Sequence, residues 1–243
     1  MDEAQRRAHY LNALGIQVWT PRNQPVAAAK EIAAVTPAPV VPLPGIAVTV
    51  ATQDVALLDW TTLQQRVASC TACGLHSTRT QTVFGVGASN AQWLVIGEAP
   101  GADEDRQGEP FVGRAGKLLN EMLRALGLRR EDVYIANVLK CRPPNNRDPL
   151  PAEVAQCEVY LKRQVMLVKP KIILAVGRIA AQNLLQTDIT IGKLRGQQFS
   201  YQGIPLVVTY HPADLLRSPT EKRKAWDDLR FARSVLSGTL AVN

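Results

Sequence analysis

The sequence predicts a three-layer α/β/α fold with a central, mostly parallel four-stranded sheet, preceded by a separate N-terminal extension. Two observations carry this. Short apolar runs at Trp93 to Ile96, Val133 to Val138, Ile172 to Val176 and Leu206 to Tyr210 read as buried strands. Between them, Lys117 to Leu126, Ala152 to Val168 and Arg178 to Leu185 carry apolar residues at helical spacing. Strand and helix in alternation imply parallel strands covered on both faces, with ligands bound outside the carboxyl ends of the strands.

In chain order, residues 1–22 hold a short helical pattern stopped by Gly15 and followed by Ile16, Val18 and Trp19, too little apolar surface to fold alone. Residues 23–54 form a linker: Ala, Val and Pro supply 19 of 32 positions, and Pro37, Pro39, Pro42 and Pro44 nearly alternate. Such a run favours extended, semi-rigid backbone. Residues 55–243 form the compact domain. With 243 residues and 46% hydrophobic content the chain can bury one sizeable core. It has no apolar run of about 18 residues to span a bilayer and no secretory leader, which points to a cytoplasmic protein. The charges of residues 1–54 cancel, so the net +7 sits on the compact domain and suits a polyanionic partner.

Four cysteines fall in two pairs, Cys70 with Cys73 and Cys141 with Cys157. A two-residue spacer lets two sulfurs face one ion but strains a direct disulfide, so a reduced thiol set is favoured, read as metal ligands first, with buried structural or free cysteines and a redox or disulfide pair as the alternatives. Spacing leaves zinc and iron–sulfur both open.

The residues just after the strands are unusual. The first strand is followed by Gly97-Glu98-Ala99-Pro100-Gly101 and the acids Asp103, Glu104 and Asp105, a tight turn with negative charge beside it. It lacks the ending of a phosphate loop. Phe111 lies in a glycine-rich approach to a helix, as core or as a stacking platform. Asn137 ends the second strand, and its carboxamide can read a base edge with one donor and one acceptor. The basic, proline-broken run from Lys140 to Arg147 resembles a phosphate-contacting loop. His211 stands at the end of the last strand, before Leu215, Leu216 and Arg217, which read as core or as an apolar wedge beside a phosphate contact.

Taken together, CTAC, GEAPGADED, PFVGRAG, NVLKCRPPNNR, the fourth cysteine and YHPADLLRSP resemble the family 4, iron–sulfur uracil-DNA glycosylases over roughly residues 60–236. The resemblance implies a 4Fe-4S cluster on Cys70, Cys73, Cys141 and Cys157. It also implies excision of uracil from DNA to leave an abasic site, in base excision repair. Phe111 would stack on the flipped uracil, Asn137 would bind its pairing edge, and Glu98, Ala99 and Pro100 would line the pocket. His211 is the candidate donor to the departing base. Glu98 is the first candidate for the carboxylate that orients water, with Asp103 and Glu104 as rivals. Arg142, Arg147, Leu215, Leu216 and Arg217 are expected to meet DNA. The chain lacks the basic, histidine-containing insertion by which a related branch traps DNA covalently, so ordinary turnover by a monomer is expected.

Residues 6–22 resemble the N-terminal segment of the psi subunit of bacterial DNA polymerase III. This implies that Leu11, Leu14, Ile16 and Trp19 anchor the chain to clamp-loader subunits; the alternative is a helix packed back on the compact domain, over which the long linker favours tethering. The competing functional reading is a replisome binding module whose glycosylase domain is weak or inactive. A cluster-bearing electron-transfer protein is disfavoured by the acid, asparagine and histidine set at the strand ends.

Overall fold

The computed structural model describes residues 55–238. The N-terminal segment with Leu11, Leu14, Ile16 and Trp19, and the 23–54 linker, lie outside the described residues. Six strands, β1 (Val86–Gly87), β2 (Trp93–Gly97), β3 (Tyr134–Asn137), β4 (Ile172–Val176), β5 (Gln198–Tyr201) and β6 (Ile204–Thr209), form one sheet in the order β1-β3-β2-β4-β6-β5. The inner four, which are the four expected from sequence, are parallel; β1 and β5 are antiparallel edges. These two strands are the correction to the four-stranded expectation. β1 has only two residues, and β5 is largely exposed, so neither presents an apolar run. Gln202 and Gly203, at φ 50 and 78, turn β5 directly into β6.

Among the described residues, eight α-helices accompany the sheet: α1 (Trp60–Ala68), α2 (Ala102–Gln107), α3 (Arg114–Ala125), α4 (Pro151–Val168), α5 (Arg178–Leu185), α6 (Ile191–Leu194), α7 (Pro212–Arg217) and α8 (Lys222–Ser237). Alternate strand residues divide between two cores. Leu94, Ile96, Ile173 and Val208 face one layer with Leu63, Val67, Leu161 and Ala181. Trp93, Val95, Leu174 and Val207 face the other with Leu119, Leu123, Leu229 and Ala232. This alternation is the period of a strand buried on both faces, and it makes the three layers.

Two short helices stand where the sequence reads as loop. α2 carries Asp103, Glu104 and Asp105 in its first turn, where carboxylates favour the positive end of the helix dipole. α7 begins with Pro212 at the first helical position, which proline's fixed φ suits.

Candidate functional site

The carboxyl ends of β2 and β3, and the loop after β6, open onto a cavity of about 410 Å³ lined by Glu98, Phe111, Asn137 and His211 among others. That volume is in the range of small-ligand sites. The four side chains come from three strand ends and from the loop before α3, so the parallel sheet is what gathers them.

Local backbone chemistry explains the gathering. Phe111 sits at φ 54, a left-handed conformation that an aromatic residue adopts only under constraint. Arg130 supplies that constraint by donating to the carbonyls of Phe111 at 3.3 Å and Pro110 at 2.5 Å, and to Asn120 Oδ1 at 3.2 Å. Glu104 completes it: Oε1 accepts from the amides of Val112 at 3.0 Å and Gly113 at 3.2 Å, and Oε2 accepts from Gly101 at 3.1 Å. Gly97 leaves the room, since a Cβ there would stand 2.7 Å from Phe111 Cζ and would also strike Asn137 Oδ1. The Phe111 and His211 rings lie 5.5 Å apart at an interplanar angle of 30°.

Asn137 is buried, and among the described residues nothing donates to its Oδ1. An orphaned buried acceptor is costly unless a ligand completes it. His211 caps α7, and its Nδ1 accepts the amide of Ala213 at 3.1 Å. That bond leaves the proton on Nε2, and burial holds the ring's pKa below its usual value, so the imidazole is a neutral donor. Glu98 is pushed up to about 7, first by burial and then by the charges of Asp148 and Asp214, against the opposing pull of Arg178. A carboxyl poised there can take a proton at neutral pH.

The three candidate acids are thereby placed differently. The Glu98 carboxyl lines the cavity without a hydrogen-bond partner among the described residues, while its carbonyl accepts the Leu139 amide. Glu104 lines it with both oxygens committed to backbone amides. Asp103 does not line it, and pairs instead with Arg106 at the surface. Ala99 and Pro100 line the wall as expected.

Among the expected DNA contacts, Arg217 lines the mouth and pairs with Asp214. Arg142 donates to Asn146 Oδ1 at 2.7 Å. Arg147 lines the mouth but is held by Glu153 at 2.5 and 2.9 Å. Leu215 is a correction: it is 1% exposed and belongs to the core under α8, while Leu216 is 43% exposed. Successive residues on α7 point about 100° apart, and the phase of this helix turns Leu215 inward and Leu216 toward solvent. Sequence reading put Gly97 in a tight turn without its steric role, and missed Arg130 altogether, which lies outside the quoted motifs; only the close approach and the φ of Phe111 expose what the two do.

Cys70, Cys73, Cys141 and Cys157 line one small apolar cavity. All four are free thiols. Three receive N–H groups: Arg79 Nη1 to Cys141 Sγ at 3.1 Å, the amide of Lys140 to Cys157 at 3.2 Å, and the amide of Ala72 to Cys70 at 3.5 Å. Burial pushes the Cys157 thiol up to about 12, so its ionisation needs a cation. Among the described residues, no group of three or more His, Cys, Asp or Glu side chains is arranged to hold a metal ion. Sulfurs ringing a cavity, with N–H groups aimed at them, fit a larger thiolate-bound group. Among the described residues no helix is long and apolar enough to cross a membrane.

The profile of the uracil DNA glycosylase superfamily matches residues 84–230. A type-4 uracil-DNA glycosylase of Archaeoglobus fulgidus is 48% identical over 174 residues, covering 68% of this chain and 87% of that protein. One from Thermotoga maritima is 44% identical over 178 residues, covering 72% and 93%. A type-5 uracil-DNA glycosylase of Pyrobaculum aerophilum is 32% identical over 146 residues, covering 53% and 64%.

Proposed function

The chain belongs to the uracil-DNA glycosylase superfamily, in its type-4 branch, and we propose that it hydrolyses the N-glycosidic bond of deoxyuridine in DNA at the cavity shared by Glu98, Phe111, Asn137 and His211. The observation that carries this reading is the convergence of those four side chains from separate segments. A base inside a duplex is out of reach, so the nucleotide is extruded into the cavity, at a cost of about a few kcal/mol that is least for a mispaired base. Phe111 stacks on the uracil. The Asn137 carboxamide binds its pairing edge, its orphaned Oδ1 accepting the N3–H that uracil has and cytosine lacks.

As the C1′–N1 bond breaks, its electron pair goes to the base and spreads onto O2. The Nε2–H of His211 donates to that oxygen; a preset donor of this kind is worth roughly 3–4 kcal/mol in oxyanion sites. Glu98 faces the cationic sugar and accepts the proton of the water whose oxygen bonds to C1′. Arg217 lines the cavity and Leu216 is exposed on the same helix; with Arg142 they are read as the phosphate contacts and the apolar wedge that hold the opened strand.

The cysteine centre is read as a 4Fe-4S cluster, supported by membership of the type-4 group and by the four sulfurs on one cavity. It supplies a crosslink rather than redox chemistry, since no electron moves in the hydrolysis. Residues 1–22 are read as a tether in which Leu11, Leu14, Ile16 and Trp19 bind clamp-loader subunits; their apolar spacing and the linker behind them support this. Release of free uracil from a uracil-containing oligonucleotide, lost in His211→Asn and Asn137→Ala, tests the enzyme. A protein with no base release would favour the binding-module reading, and pull-down of clamp-loader subunits by the intact chain but not by a Trp19→Ala variant tests the tether.

A further inference from the structure

The two residues before His211 are held by a buried ion pair that the reaction does not use. Arg195, at the C-terminal end of α6, meets Asp228 of α8 through two hydrogen bonds, Nε to Oδ2 at 2.7 Å and Nη2 to Oδ1 at 2.8 Å. Both side chains are largely withdrawn from water, at 14% and 2% exposure. Asp228 Oδ2 also accepts the Thr209 hydroxyl at 2.8 Å, and the Arg195 guanidinium carbon lies 4.8 Å from the centroid of the Tyr210 ring. Arg195 Nη2 further donates to the Lys224 carbonyl at 2.5 Å, which ties the pair to the first turn of α8. None of Arg195, Thr209, Tyr210 and Asp228 lines the cavity.

Stability alone does not call for such a pair, because apolar residues of similar volume serve a core as well or better. What the pair adds is direction. A two-bond guanidinium–carboxylate fork fixes the planes of both groups, and the cation over the ring fixes Tyr210. His211 itself is closed in by Gly177, whose amide donates to the Thr209 carbonyl at 2.8 Å and where an added Cβ would stand 2.9 Å from His211 Cβ. Its ring faces that of Phe111 at 5.5 Å. We propose that Arg195 and Asp228 are positioning residues for the reaction: by holding Thr209 and Tyr210 they set the His211 imidazole against the oxygen on which the departing base gathers charge. This rests on the glycosylase reading of the cavity. A donor preset for that charge acts in the transition state, so displacing it lowers kcat and leaves the binding of DNA as it was.

Arg195→Met keeps the stem and removes the guanidinium. The variant is expected to keep the parent's circular dichroism, its KM and its affinity for uracil-free duplex, while kcat on deoxyuridine in DNA falls by about tenfold or more. The leaving group supplies the signature of an effect through His211. Fluorine at C5 withdraws electrons and stabilises the departing anion without help, so release of 5-fluorouracil should fall by less than about threefold. Equal losses on the two substrates would mark a merely structural pair and overturn the proposal, and so would a parental kcat on deoxyuridine. Because Arg195→Met strands the Asp228 carboxylate, it can fail to accumulate. In that event Arg195→Met combined with Asp228→Leu removes both charges together and is judged on the same two substrates by the same outcomes. A parent protein that releases neither base sinks the glycosylase reading itself, a different failure established before any variant is compared.

Discussion

Replacing Glu98 by Gln separates what this carboxyl costs the fold from what it does for the reaction. Its folded pKa is about 7 against an ordinary value of 4.5, with burial the largest cause. The folded protein therefore holds this proton more tightly than the unfolded chain. Between pH 4.5 and 7 the folded state binds more protons, so stability falls as pH rises through that window, and the penalty is complete above it. The shift corresponds to about 3 kcal/mol at roughly 1.4 kcal/mol per unit; because the side chain is only partly buried, solvent screening reduces this to about 1–2 kcal/mol. Glutamine is uncharged and nearly isosteric, so Glu98→Gln should be more stable than the parent at pH 8 by that amount, on the order of 2–6 °C in Tm, and no different near pH 4. In single-turnover release of uracil, the parent rate should rise with pH to a midpoint near 7, and the variant should lose roughly 100-fold or more together with that dependence. A variant less stable than the parent at pH 8, or one with an unchanged pH–rate profile, would refute the reasoning.

Gly97→Ala places a methyl 2.7 Å from the Phe111 ring, and should abolish uracil release while the far-ultraviolet circular dichroism stays that of the parent. Arg130→Ala removes both donors to the Pro110 and Phe111 carbonyls and should lower kcat/KM by about 10- to 100-fold, read against unchanged uracil-free DNA affinity. Leu215→Ala should cost roughly 2–5 kcal/mol in denaturant unfolding because the side chain is in the core, whereas exposed Leu216→Ala should leave stability unchanged and weaken only DNA handling. Cys141→Ala should reduce the yield of soluble, folded protein more than it alters whatever pocket survives; full recovery of stable, colourless, fully active protein would contradict that.

The inner sheet was legible because strands buried on both faces leave continuous apolar runs, as IILAV does over the whole of β4. Edges were not, since Val86–Gly87 is too short for any periodicity and Gln198–Tyr201 presents polar side chains to water. Asn137 and His211 could be picked out because they stand at strand ends, and Phe111 because it lies in a glycine-rich approach to a helix, each chemically unlike its neighbours. The division of labour among the acids could not. Glu98, Asp103 and Glu104 look alike along the chain, and only the three-dimensional hydrogen bonding separates a partnerless carboxyl from one occupied by amides and one spent on Arg106. Leu215 and Leu216 were indistinguishable for the same reason: the phase of α7 was missing.

The bolt formed by Glu104 and Arg130 across the backbone on either side of Phe111 has a consequence for selectivity. A shelf already set before the visitor arrives contributes no adjustment of its own, so enzyme rearrangement adds little to the toll of extraction. That toll falls on the nucleic acid, and fidelity begins with how readily each base lets go of its partner and its stack. Uracil facing guanine should leave sooner than uracil facing adenine, and a loose strand should surrender it soonest of all.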